Sequence, residues 1–307
     1  MYLKFKIQTA FKILTDWRFW PFFLQRRVKS PSLRNSIADW NATRKPSSKR
    51  ACIANPLIVD NLKKSGIAHL PPLLTEAQLS EVRTYLESTK VRDAYLVDLP
   101  AHYPLGNDRS CKTHVAYHDP ADLLASPHLL ALANRPDLLA VAEAFLGCKP
   151  TIGLFTAWWS YAGEGGALAA ERFHRDVDDW RFLKLFVYLS DVGPDQGPHK
   201  YVPGSSNTDK LTDVRRFEDQ EVESNFGSDA VLTITGKAGD AFVEDTHGIH
   251  KGQPVRSGYR AMFQVVYSQG GLPYAPKRPI AIRSDIEKNL TVDLDPYVNR
   301  LYLSLES

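Results

Sequence analysis

The sequence predicts a mainly β fold with flanking helices, its strands arranged as a sandwich or barrel of which the jelly roll is one form. From Thr151 onward, short runs of β-branched and aromatic residues alternate with Gly, Pro, Asp and Asn turns, at residues 151–161, 183–189, 231–234, 240–244 and 261–267. Helical patterning is confined to the stretch before them. With 307 residues, 43% of them hydrophobic and 24% charged, the chain can build one large core with additions.

Residues 1–29 carry Lys4, Lys6, Lys12, Arg18, Arg26, Arg27 and Lys29 against the single acid Asp16, interleaved with Phe11, Trp17, Phe19, Trp20, Phe22 and Phe23. Leu3, Ile7, Phe11 and Leu14 recur at helical spacing, as in an amphipathic helix. Such a segment suits either a membrane interface or packing on protein, including a second copy in a homo-oligomer. Lysines interrupt the apolar run and no small-residue cleavage site follows, so a signal peptide fits poorly. Residues 30–50, rich in Ser, Pro, Arg and Lys, read as a linker or surface loop.

A helix is expected from Ile58, followed by a short strand near 66–70. Thr75 ahead of Glu76 and Leu79 is a suitable N-cap for a helix reaching about Lys90. Residues 128–146 read as a second helix, closed by Gly147. The expected organisation is therefore a basic aromatic extension and linker over 1–50 and a single domain over 51–307. Within that domain, helical support occupies 51–150, the β core about 150–270 and a terminal segment 271–307.

Cys52, Cys111 and Cys148 are odd in number, widely spaced and form no CxxC, which indicates neither a disulfide framework nor a thiolate zinc site. Reduced thiols point to the cytoplasm, with the extension allowing a peripheral place at the inner membrane face. No apolar run is long enough to span a bilayer. The net charge of +3 gives no global signal of nucleic-acid binding.

The chemistry-bearing residues fall in the β part. In His174-Arg175-Asp176, residues two apart on an extended segment project to one face, so an imidazole and a carboxylate can reach one ion. A lone HxD carries little weight. The second half is Asp245-Thr246-His247-Gly248-Ile249-His250-Lys251-Gly252, with Arg260 ten residues beyond His250. Two imidazoles and a carboxylate form the facial triad of non-haem iron(II) oxygenases, which leaves three coordination positions open. A bidentate acid cosubstrate takes two and O₂ the third. A buried arginine offers a planar fork for that cosubstrate's distal carboxylate.

These residues, together with Gly197-Pro198-His199-Lys200-Tyr201-Val202-Pro203-Gly204-Ser205, resemble the phytanoyl-CoA dioxygenase-like family of Fe(II)/2-oxoglutarate-dependent oxygenases. That family's pattern is HxD, a Gly-(x)5-Pro-Gly-Ser/Thr turn, and a distal His followed about ten residues later by Arg. The resemblance covers roughly 150–270 and implies a double-stranded β-helix, a cupin-like jelly roll. It implies iron ligation by His174, Asp176 and His250, and 2-oxoglutarate held by Arg260. Phe186 stands where many members carry a pocket-lining Trp, and Ser206 where many carry His. The implied reaction is hydroxylation of an unactivated C–H, with succinate and CO₂ released. Related halogenases lack the carboxylate that Asp176 supplies, so hydroxylation is favoured over halogenation.

His250 is preferred to His247 as ligand by its interval to Arg260 and the Lys-Gly that follows, leaving His247 beside the ligands or at the pocket rim. Asp178 and Asp179 are the alternatives to Asp176. Gly163 to Gly166 reads as a loop over the site, and Arg256 as a surface residue or substrate contact. Candidate substrates are small molecules and membrane-borne groups, either a glycolipid sugar such as Kdo or an acyl chain. Two other classes remain: a non-catalytic jelly-roll binding module, and a peripheral membrane scaffold acting through residues 1–29.

Overall fold

The computed structural model describes residues 16, 18–48, 52–96, 98–106, 114–163, 167, 169–288 and 290–305. The helix expected from Leu3, Ile7, Phe11 and Leu14 lies outside them, as does most of the glycine loop 163–166. The first described helices are α1 (Phe19–Gln25) and α2 (Pro31–Ala42). Residues 30–50 were expected to form a linker, but the structure places a twelve-residue helix there. Pro31 opens it at a position where its missing N–H leaves nothing unpaired. Arg34, Ala38 and Ala42 then recur every four residues as its buried face.

Helix α3 (Pro56–Ser65) is capped by Asn55, whose side chain accepts from the Leu57 amide, and is closed by Gly66 at φ 79°. Strand β1 (Ile67–Leu70) follows, then α4 (Glu76–Ser88). Thr75 and Gln78 form a reciprocal capping box at the start of α4. Next come β2 (Val91–Asp93), β3 (Val115–His118) and α5 (Pro120–Ala125). The single helix expected over 128–146 is two, α6 (Leu129–Ala133) and α7 (Pro136–Leu146). Pro136 cannot donate to a preceding turn and pushes Arg135 to an extended ψ of 130°. The helix restarts there with proline at its first position and ends at Gly147, φ 77°.

The β part comprises β4 (Thr151–Tyr161), β5 (Phe182–Tyr188), β6 (His199–Tyr201), β7 (Leu232–Ile234), β8 (Ala241–Glu244), β9 (His250–Gly252) and β10 (Tyr259–Ser268). Helix α8 (Asp219–Phe226) sits between β6 and β7. A terminal pair, β11 (Ala281–Ile282) and β12 (Leu303–Ser304), closes the described chain.

The strands form a seven-stranded antiparallel sheet ordered β1-β8-β5-β10-β4-β3-β2 and a three-stranded sheet ordered β7-β6-β9. The interior between them holds Phe186, Tyr188, Phe242 and Met262 from the large sheet and Tyr201 and Ile234 from the small one. This is the jelly roll expected from the sequence. Alternation along each strand divides the burial. Leu183, Leu185 and Val187 of β5 face a helical core with Leu138, Leu139, Ala142 and Phe145, while Phe186 and Tyr188 face the inter-sheet space. Each fully buried side chain of this size contributes about 1.5–3 kcal/mol. The segment after β10 joins the same core through Leu294, Val298 and Tyr302, and the Tyr302 hydroxyl accepts from the Phe155 amide at 3.0 Å. No helix among the described residues is long and apolar enough to cross a membrane.

Candidate metal centre

The residues of the HxD and the distal histidine meet through the backbone first. His174 and His250 are direct antiparallel partners, each amide donating to the other's carbonyl at 3.0 Å. Residues opposite each other on such a pair project to one face, and the two imidazoles lie 4.3 Å apart, centroid to centroid. Asp176, two residues on, projects to that face too, its amide donating to the Thr246 carbonyl at 2.9 Å. Its Oδ1 is 3.4 Å from His174 Nε2, and its Oδ2 3.2 Å from His250 Nε2. One ligand atom from each of the three residues lies within 4.8 Å of the others, and among the described residues this is the group of this kind.

The donor set fits a divalent metal. His174 Nδ1 lies 2.9 Å from the Arg172 carbonyl and His250 Nδ1 lies 3.0 Å from that of Gly248. A carbonyl can only accept, so each Nδ1 carries the proton and each Nε2 turns its lone pair to the shared space. Burial, then the neighbouring His174, lowers the His250 pKa and keeps that ring neutral, as ligation requires.

Two features that the sequence reading did not single out hold this arrangement. Arg175, the middle residue of the HxD, is buried and donates to the carbonyls of His247 (2.6 Å), Ser205, Lys210 and Leu211 (2.8 Å each). It ties the HxD segment to the loop that carries His250. Ser205 of the Pro-Gly-Ser turn accepts from the Ile249 amide at 2.7 Å, one residue before that histidine.

Lys184 is the second feature. It interrupts a fully buried apolar strand, and its ammonium sits 2.6 Å from Asp176 Oδ2 and 3.0 Å from Asp178 Oδ2. Burial alone would raise the Asp176 pKa, but Lys184 and then His250 outweigh it and hold the carboxyl well below its usual range. Asp178 is therefore engaged by Lys184. Asp179 accepts from the Trp180 and Gly270 amides at 2.8 and 2.9 Å, which occupies both of its oxygens. His247 turns away from the triad: its Nδ1 lies 3.2 Å from the Asp176 carbonyl, and it borders a separate cleft beside α2.

The triad opens into a cavity of about 210 Å³ lined by Tyr95, Tyr117, Trp158, Glu171, Lys184, Phe186, His199, Arg260 and Gln264. Phe186 stacks on Phe242 at 5.0 Å and tilts against His199 at 5.1 Å. Arg260 is buried and, among the described residues, forms no ion pair. It donates to the Gly197 carbonyl and, at 3.3 Å, to Ser160 Oγ, and its Nε has no partner. A buried guanidinium facing only a carbonyl and a hydroxyl is under-compensated, and a ligand carboxylate would complete it. Arg256 is exposed and borders a different cleft, with Lys200 and Lys251.

The cavity also meets a buried Glu244–His199 pair, His199 Nε2 lying 3.0 Å from Glu244 Oε2. Burial pushes the Glu244 carboxyl up to about 8 and the His199 ring down to about 3, so both are neutral at pH 7 and the acid donates to the imidazole. Glu244 is protonated in both folded and unfolded chains below pH 4.5. Above that the unfolded chain ionises first, so stability is lost as pH rises towards about 8. His199 acts oppositely, losing stability as pH falls below 6.5. Glu244→Gln is expected to flatten the decline in thermal stability between pH 6.5 and 8.5, by at most ~2 kcal/mol. Parallel melting-versus-pH curves for the two metal-free proteins would contradict this.

Comparison with known proteins adds a family and a fold. The sequence profile of the family described as Phytanoyl-CoA dioxygenase (PhyH) matches residues 62–262, roughly two thirds of the chain. Among curated proteins, none matches the sequence. Among solved structures, the 2-oxoglutarate-dependent epimerase SnoN of nogalamycin biosynthesis is similar, with TM-score 0.51 and 20% identity over 69% of this chain and 79% of that one. EctD from S. alaskensis with bound Fe has TM-score 0.51 and 18% identity over 84% and 90%. HygX from Streptomyces hygroscopicus, with nickel and 2-oxoglutarate bound, has TM-score 0.50 and 15% identity over 78% and 97%. At such identities these likenesses establish the shared fold.

Proposed function

The chain belongs to the phytanoyl-CoA dioxygenase family of iron(II)- and 2-oxoglutarate-dependent enzymes, and from that premise we propose that His174, Asp176 and His250 hold its iron while Arg260 holds 2-oxoglutarate. The observation that carries this reading is the convergence of three ligand atoms within 4.8 Å, with both imidazole tautomers set by backbone carbonyls. Bound iron, with O₂ and 2-oxoglutarate, supplies the oxidant that attacks an unactivated C–H, and the cosubstrate leaves as succinate and CO₂.

The protein's own residues do the rest. Lys184 holds one oxygen of Asp176, leaving the other free to face the metal. The Arg260 fork pairs with the distal carboxylate of the cosubstrate, and Phe186 with His199 forms an aromatic wall beside it. The reaction proposed is hydroxylation or another O₂-derived oxidation rather than halogenation, because Asp176 supplies a carboxylate that related halogenases lack. Tyr95, Tyr117, Glu171 and Gln264 give the cavity hydrogen-bonding groups. This polarity supports a hydroxyl-bearing group, such as the sugar of a membrane glycolipid of the Kdo type, over a bare acyl chain.

The test is succinate formation from 2-oxoglutarate with iron(II) and O₂, screened against sugar-bearing, acyl and small-molecule substrates. Turnover stimulated by one class, with a product heavier by one oxygen atom derived from O₂, is expected. An oxidised product of unchanged oxygen content would remove the hydroxylation assignment. Absence of any iron-dependent succinate would remove the reading altogether.

A further inference from the structure

Charge is divided unevenly along this chain. Residues 1–50 contain twelve Lys and Arg and two Asp. The whole chain has 38 basic and 35 acidic residues, so residues 51–307 hold 26 and 33. The extension is therefore net +10 and the remainder net −7. Helices α1 and α2 lie within the basic part and are fixed to the domain. In α1, Phe19 and Phe22 pack edge-on against Tyr274, and Gln25 Nε2 donates to the Val177 carbonyl at 2.9 Å. In α2, Arg34 donates to the Asp179 carbonyl at 2.8 Å, and Asp39 accepts from Arg181 at 2.7 Å. Both helices thus rest on the segment 177–181, immediately after Asp176.

Each turns large apolar side chains outward, those of α2 set among the exposed Ser32, Asn35, Ser36 and Asp39. Trp20 and Leu24, one turn apart on α1, are 63% and 61% exposed. Leu33 and Trp40, two turns apart on α2, are 51% and 57% exposed, with the part-buried Ile37 between them. Exposed Arg27 follows α1, and the Arg44 guanidinium lies 3.3 Å over the Trp40 ring. Two docked helices thus carry four large apolar side chains at half exposure or more, which is surface that water does not favour.

We propose that the outward faces of α1 and α2 are a docking surface for an anionic lipid bilayer. Tryptophan and leucine insert at headgroup depth, and the arginines beside them meet lipid phosphates while their stems stay among the apolar chains. A second copy of this chain is a poor occupant, since pairing these faces would bring together two segments with seven Lys and Arg against two Asp each over residues 16–48. Nucleic acid would use the cations but leaves the leucines without a role. Because both helices clamp segment 177–181, docking fixes the orientation of the candidate metal centre to the bilayer. The proposal stands on surface residues alone and does not depend on the iron assignment.

The test is co-sedimentation of the full chain with phosphatidylcholine vesicles, with and without about one third phosphatidylglycerol. At low salt, binding to the anionic vesicles is expected to exceed binding to neutral ones by about ten-fold or more. It should weaken as the Debye length falls from about 10 Å at 0.1 M to 3 Å at 1 M salt. Trp20→Ser with Leu24→Ser, Trp40→Ser alone, and Arg27→Glu with Arg44→Glu should each reduce it about ten-fold, with circular dichroism unchanged. Equal binding to neutral vesicles, no binding, or full binding by the serine variants would overturn the proposal. So would a stable dimer in solution that dissociates in Trp20→Ser, or tighter retention by duplex oligonucleotide than by vesicles.

Discussion

His174→Ala is expected to lower iron(II) affinity by more than about a hundred-fold, and Asp176→Ala by more again. Removing a partner that merely orients a ligand already costs 10–100-fold, and here a ligand itself is lost. The order of the two follows from Lys184. In the folded chain its ammonium is 2.6 Å from Asp176 Oδ2. Without that carboxylate, a buried cation faces the metal with only Asp178 to balance it. Asp176→Ala combined with Lys184→Met should therefore bind iron better than Asp176→Ala alone. Equilibrium dialysis against a chelator of known affinity measures all three. Full iron occupancy in His174→Ala, or no gain from Lys184→Met in the Asp176→Ala background, would contradict this assignment.

Arg260→Ala is expected to raise the apparent constant for 2-oxoglutarate by a factor of roughly ten to 150, with iron affinity little changed. A charge-assisted fork is worth about 1.5–3 kcal/mol, and each 1.4 kcal/mol is ten-fold. Arg260→Lys should recover only part, because an ammonium cannot offer two parallel donors. Arg256→Ala should have a small effect, since Arg256 is exposed and borders a different cleft. Initial-rate measurements of succinate at varied 2-oxoglutarate separate these variants. A neutral Arg260→Ala with a damaging Arg256→Ala would reopen the choice of His250 over His247.

What could be read from the sequence, and what could not, follows from how local each signal is. Strand β4 and the Thr75 cap were legible because alternation and capping depend on neighbours in sequence. The convergence of His174 and His250 was legible because a motif spans the gap between them. The Lys184 contact was not, although a lysine in the run Phe182–Tyr188 was a visible anomaly. Only the fold reveals which carboxylates it meets. Glu244 and His199 are 45 residues apart and make one pair across the two sheets. No local pattern announces such a pair. Helix α2 was hidden by composition: Ser, Pro and Arg are usual in linkers, but Arg34, Ala38 and Ala42 form a buried stripe once a surface is present to receive it. The break before Pro136 was the opposite case, a local rule that should have overridden the apolar run around it.

The most direct measurement of the central assignment is an anaerobic titration of the iron(II)-reconstituted protein with 2-oxoglutarate, followed by visible charge-transfer absorption. A chelated 2-oxo acid on iron(II) produces such a band, and the free components do not. The account predicts one iron per chain and a band that saturates at one 2-oxoglutarate per iron. It also predicts a weaker apparent affinity in Arg260→Ala and no band in His174→Ala. A band of full intensity in His174→Ala, or none in the parent protein at saturating iron and 2-oxoglutarate, would contradict it.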